Sequence, residues 1–241
     1  MICEASGPEK HQDLNEAYRK RERFMIKTIK HEVEEILSGG EGIRKLPEDR
    51  YSEMKYPKIL SVMHFHVDQY EIAGFGHLMI MHTTTQMGME LITMSFMPSE
   101  AVSLPYLLVD AMSMKKKRCV FVEYYGCGKA DFEDEALKEV YERYCKLPDY
   151  EEKEQWYIRE RQPYSLIKAG EEAELIQMTS DSVKAYLGAA RGARTDPEYP
   201  KLLEAFRQRM IHEGNPSDKV LKMLLKEDGA ETFMKNVIMP L

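Results

Sequence analysis

Between residues 58 and 125 one local pattern recurs, and after residue 131 it gives way to another. Segments 58–66, 77–84, 88–97, 105–113 and 118–125 are short and rich in Val, Ile, Thr, Tyr, Phe and Met. Turn-forming or charged residues separate them, as expected of strands joined by hairpins. Helical patterns then follow at roughly 131–145, 150–160, 179–190, 198–213 and 217–227, with a short one near 230–237. Strands in a run followed by helices in a run predict an antiparallel sheet covered by helices, and argue against alternating βαβ units. Ahead of the strands, residues 9–38 read as a charged helix. Leu14, Tyr18, Met25, Ile29, Val33 and Ile36 fall near helical spacing, and Gly39-Gly40 stops it. With no internal repeat and no low-complexity linker, the 241 residues read as one domain.

Composition removes several function classes. The net charge of −7 argues against a nucleic-acid binder, which needs a basic field. No apolar run approaches the roughly 18–20 residues needed to span a bilayer. The N-terminal stretch turns charged within its first residues and builds no apolar signal region. Cys3, Cys119, Cys127 and Cys145 form no CxxC pair, so a reduced, cytoplasmic protein is expected. Seventeen methionines are many for this length. They can fill a core, and they can also line an adaptable pocket for a large flat ligand.

Nucleotide, P-loop and esterase motifs are absent: there is no GxGxxG after a strand, no GxxxxGK[ST] and no GxSxG. Gly74-Phe75-Gly76 and Gly126-Cys127-Gly128 read as turns. His64 and His66 alternate on a strand and so share a face, with Glu71 and His77 downstream. The pattern partly matches the HxH…E motif of metal-binding cupin barrels. The glycine spacing and the helical second half do not, so no metal site is expected and the histidines read as surface or packing residues.

The informative stretch is Met89 to Tyr125, MELITMSFMPSEAVSLPYLLVDAMSMKKKRCVFVEYY. Asp110 follows the apolar run Tyr106-Leu107-Leu108-Val109, where a carboxylate is desolvated unless it is paired, bonded to backbone at a strand end, or functional. Met97-Pro98, Leu104-Pro105 and Asp110 together resemble the central strands of the ferredoxin-dependent bilin reductases. Two further stretches extend the resemblance. Residues 205–234 carry Ser217-Asp218-Lys219 at the family's Asn-Asp-Lys place, with Gly229 at the matching distance. Arg159-Glu160-Arg161-Gln162-Pro163 is similar to an Arg-Glu-Leu-Pro segment. Ser217-Asp218-Lys219 also reads simply as a helix N-terminus with Leu221, Leu224 and Leu225 as its buried stripe. Such a terminus favours an anionic group as well.

The resemblance implies an α+β fold, an α/β/α sandwich whose central antiparallel sheet has helices on both faces. It implies reduction of biliverdin or a related bilin by sequential electron and proton transfers. No flavin or metal would be tightly bound, and reduced ferredoxin or flavodoxin would be the external donor. Asp110 and Asp218 would be the proton donors. Arg161, with Arg159 as its rival, and Lys219 would pair with the propionates. Thr93 and Met81 occupy positions where phycocyanobilin-forming members carry His and Glu, so the chain is more similar to the two-aspartate members. His82, next to Met81, could take the missing role only if the strand register slipped by one residue. Lys115, Lys116, Lys117 and Arg118, the four-cation run past Asp110, could dock an acidic ferredoxin or serve as a solvated turn. A tetrapyrrole carrier on the same fold and a cupin-like metalloenzyme are the alternatives.

Overall fold

The computed structural model describes residues 24–57, 60, 62–114, 117–127, 133–190 and 196–240. Its centre is an eight-stranded, fully antiparallel sheet in the order β1-β3-β4-β5-β6-β7-β8, with β2 also paired to β3. Five long strands form an uninterrupted meander: β3 (Met63–Ile72), β4 (Gly76–Thr85), β5 (Glu90–Pro98), β6 (Tyr106–Met114) and β7 (Lys117–Tyr125). The short strands β1 (Ile43–Lys45), β2 (Glu53–Tyr56) and β8 (Leu166–Ala169) extend its edges.

Period-two alternation divides the strand residues between two separate cores. On one face Leu78, Ile80, Ile92, Met94, Phe96, Leu107, Val109 and Val120 are buried under α1 (24–38), α2 (Glu135–Tyr144) and α3 (Glu172–Ala190). On the other, Met79, Met97, Leu108, Tyr106 and Tyr125 pack under α4 (Tyr199–His212), α5 (Asp218–Phe233) and a terminal π-helical turn (Met234–Ile238). The expected sandwich is therefore present, with helices on both faces.

Local chemistry explains the element ends. α2 starts where the Asp134 side chain accepts from the Leu137 backbone N–H at 3.1 Å, a side-chain N-cap. The buried face of α3 includes the small residues Thr179, Ser180 and Ser182. Thr179 and Ser182 return their hydroxyls to backbone carbonyls four residues back. At the start of β4, Gly76 has φ 148°, and an added Cβ would lie 2.3 Å from the Met97 carbonyl oxygen. Only glycine fits where β4 meets the end of β5.

Several expectations need correction. Residues 150–160 are not one helix. Tyr150 donates its N–H to the Ile167 carbonyl (3.1 Å), Asp149 pairs with Lys168 (2.5 Å) and Glu152 reaches Arg161, so tertiary contacts hold the acidic segment extended. Only Trp156–Glu160 coils, as a 3-10 turn. Residues 41–56, which carry no clear periodicity, contain β1 and β2, and the four residues of β8 are likewise too few to show one. The expected 179–190 helix starts at Glu172. Strand 58–66 is displaced to β3. α5 is broken at Lys226 (φ 63°, ψ 177°), which matches the expected division near 227–230. Ser217 makes no side-chain cap; its N–H is instead satisfied by Asn215 Oδ1 at 2.9 Å. The part of the 9–38 helix before residue 24 lies outside the described residues, as do Cys3, Gly128, Lys115 and Lys116.

Candidate active site

The hairpin register puts three of the expected residues side by side. Met81 pairs with Thr93, Thr93 with Asp110, and Asp110 with Phe121, so one row crosses β4, β5, β6 and β7 on the α4/α5 face. The next row outward is Phe65, Thr83, Leu91 and Met112. These two rows form the floor of a cavity of about 270 Å³. Met63 and Met89 extend its wall, Tyr157 and Glu152 stand on one side, and Pro216, Ser217, Val220 and Leu221 cover it. Further along the same face Tyr106, Tyr125 and Phe206 pack ring on ring, with centroids 5.4–6.1 Å apart, and close it.

Asp110 lies on the cavity floor and is half-buried. Its described hydrogen bond comes from Thr93 Oγ1 to Oδ1, at 2.5 Å. Burial raises the Asp110 carboxyl to about 6, against the opposing pull of the Thr93 hydrogen bond. A carboxyl titrating there can hold a proton near neutrality and release it to a ligand above it. Among the described residues the cavity wall is otherwise made of thioethers, aromatic rings, aliphatic side chains, hydroxyls and two further carboxylates, Glu123 and Glu152, with no cation in it.

The other expected residues are placed differently. Asp218 opens α5 but does not line the cavity, although Ser217 and Val220 beside it do. It pairs with Lys222 at 3.3 Å, and Lys219 is exposed. Arg161 lies behind Glu123 and is held by two carboxylates. Nε donates to Glu123 Oε1 at 2.8 Å, and Nη1 and Nη2 bond Glu152 at 2.6 and 2.7 Å. Arg159 is exposed and pairs with Glu154. His82 sits opposite Ile92 on the far face, 3.5 Å from Glu90, so the register does not slip and the imidazole does not face the cavity. His64 and His66 both grip Glu53 at 2.5 Å. Among the described residues no His, Cys, Asp or Glu cluster could hold a metal.

Strand alternation also splits the basic run. Lys117 pairs with Met114 on the cavity face and is exposed. Arg118 pairs with Ser113 on the far face, where it approaches Glu172 at 3.9 Å. The sequence reading overlooked Glu123. Its signal was the one that flagged Asp110, a lone acid inside an apolar strand, Phe121-Val122-Glu123-Tyr124-Tyr125.

No family model and no curated protein matches the sequence. Among solved structures, the fold is similar to that of phytochromobilin synthase from tomato, determined in complex with biliverdin. The TM-score is 0.68 at 17% identity, over 88% of this chain and 81% of that one. What the two share at this identity is the fold, an antiparallel sheet between helical layers.

Proposed function

We propose that this chain binds a linear tetrapyrrole of the biliverdin class over the Met81–Thr93–Asp110 row and reduces it, with Asp110 supplying protons. The observation that carries this reading is the Asp110 carboxyl. It is raised to about 6 on the floor of a cavity lined with Met and aromatic side chains. The fold, shared with a protein solved around biliverdin, supports the ligand class.

Reduction of one double bond takes two electrons and two protons. The chain's own part is to hold the bilin over the floor, keep water away and deliver the protons. Protonated Asp110 gives a proton to the ligand with each electron, is left as a carboxylate bonded by Thr93, and recovers a proton from solvent after each transfer. Electrons come singly from an external carrier such as ferredoxin or flavodoxin, with no tightly bound cofactor required. Exposed Lys117, on the cavity face at the end of β7, is a docking cation for it.

A cavity of about 270 Å³ is below the ~300–1,000 Å³ of pockets that enclose whole drug-sized ligands. A full bilin therefore extends past the α4–α5 turn, or displaces it. Asp218 and Lys219 stand at that rim, where they would meet the protruding part and its carboxylates. The test is anaerobic titration with biliverdin followed by reduced ferredoxin, read by visible absorbance. Spectral change on binding and bleaching on reduction are expected. Binding without bleaching would make the chain a carrier, and no spectral change would remove the ligand class.

A further inference from the structure

Asp110 is not the only carboxyl group on this floor. Glu123 on β7 stands diagonally across from it, since Asp110 pairs with Phe121 and Leu108 with Glu123. Diagonal neighbours on one sheet face are about 7–8 Å apart. The Glu123 side chain is 3% exposed. Its described hydrogen bonds all fall on Oε1, from the Tyr125 hydroxyl at 2.8 Å, from Arg161 Nε at 2.8 Å and from Arg161 Nη2. No described hydrogen bond falls on Oε2, and Glu123 is one of the residues that line the cavity.

We propose that Glu123 is a second proton-holding group of this cavity, working with Asp110 as a coupled carboxyl pair. The identity of the ligand that receives the proton rests on the reading above; the pair itself does not. Burial favours the neutral acid before transfer, and Arg161 stabilises the anion after it. The proton leaves from Oε2 to the ligand, and the charge left behind stays on the carboxylate against the guanidinium. Arg161 also holds Glu152, at the cavity edge, and so connects the pair to the solvent side.

The titratable groups around Glu123 are Asp110 and Tyr106 on β6, Tyr125 beside it, Tyr157 on the 3-10 turn, and Arg161 with Glu152. Burial pushes Glu123 up, Arg161 pulls it back, and the Asp110 charge adds to the rise, to about 7. Two such carboxyls release their protons in steps that belong to the pair. A merely structural Glu123 would be a permanently ionised counter-ion to Arg161, with no proton to lose near neutrality.

Infrared difference spectra of the ligand-free protein separate the two roles through the protonated-carboxyl band. The wild type should lose this band in two steps across roughly pH 5–8, and Glu123→Gln should abolish the later one. Asp110→Asn should lower the remaining midpoint by about 1.5 units, the size expected for charges about 7–8 Å apart at an effective dielectric of about 20. This arm holds even if Glu123→Gln fails to fold. A wild type with no protonated carboxyl above pH 6, or an unmoved midpoint in Asp110→Asn, overturns the proposal. Biliverdin added to the same samples reports separately on the ligand. Carboxyl steps without a bilin spectrum would keep the pair and reject that ligand, and a bilin spectrum without the steps would do the reverse.

Discussion

Two aspartates, one on each face of the sheet, show how the same side chain serves opposite ends. Asp68 on β3 lies toward the α1 face, receives Lys30 at 2.8 Å and Lys45 at 2.6 Å, and has His66 at 3.2 Å. Burial alone would raise its carboxyl, but the lysine hydrogen bonds outweigh it and hold the group below its ordinary value. Asp110 on β6 faces the other way and, among the described residues, is bonded by a single hydroxyl, and burial prevails. What differs is the supply of cations, and with it the task. Asp68 ties a helix and an edge strand to the sheet, whereas Asp110 is left able to exchange a proton.

The largest effect expected from this contrast is on turnover. Asp110→Asn keeps shape and hydrogen-bonding capacity but has no carboxyl proton. Bilin reduction should fall by about 100-fold or more, the usual worth of a general acid, while the bilin binding spectrum persists. Near wild-type rates would end the catalytic half of the comparison.

Next come the cores behind the two carboxylates. Ile92→Ala, in the closed core under the α1 face, should cost about 2–5 kcal/mol in denaturant unfolding. Met81→Ala, beside an existing cavity, should cost about 1 kcal/mol, since its loss only enlarges a space already there. Equal costs would mean that the cavity face is packed as tightly as the other.

Stability against pH should show opposite signs for the two aspartates. The lowered Asp68 carboxyl contributes stability that is present above about 4 and lost as pH falls through its folded value. Asp68→Asn should thus destabilise at pH 7 by about 2 kcal/mol, less in acid. The raised Asp110 carboxyl works the other way, costing nothing below about 4 and progressively more as pH climbs to about 6. Asp110→Asn should therefore stabilise above pH 6 by up to about 3 kcal/mol and be neutral near pH 4. Same-sign shifts at pH 7 would erase the distinction between the faces.

The smallest expected effect is at the edge of the cavity face. Lys117→Gln should slow ferredoxin-driven reduction by less than about tenfold and flatten its dependence on salt, leaving bilin affinity unchanged. An unchanged salt slope would return Lys117 to being a solvated strand end.

Much of this arrangement could be read from the chain. Alternation and turn chemistry marked the five meander strands to within a few residues, because each carries enough periods to be heard. β1, β2 and β8 are too short for that, and their pairing is decided by partners distant in sequence. Asp110, flagged by the apolar run before it, and Thr93 and Met81, placed by the family resemblance, do share a row. The environments of Arg161 and Asp218 could not be read this way. Whether Arg161 is already held by Glu123 and Glu152, or whether Asp218 turns toward Lys222, depends on side-chain directions that a linear motif does not encode. Glu123 was missed although its sequence signal equalled that of Asp110.

Gly76 carries a last implication. Because no other residue fits against the Met97 carbonyl, the phase between β4 and β5 is set at their shared end, five residues from Met81 along β4. Advancing that phase by a single step would present His82 instead of Met81 beside Thr93. Asp110 would then look across at an imidazole rather than a thioether, a base where there is now a soft, neutral sulfur. A glycine outside the cavity lining thus chooses which functional group the Asp110 carboxyl has for company.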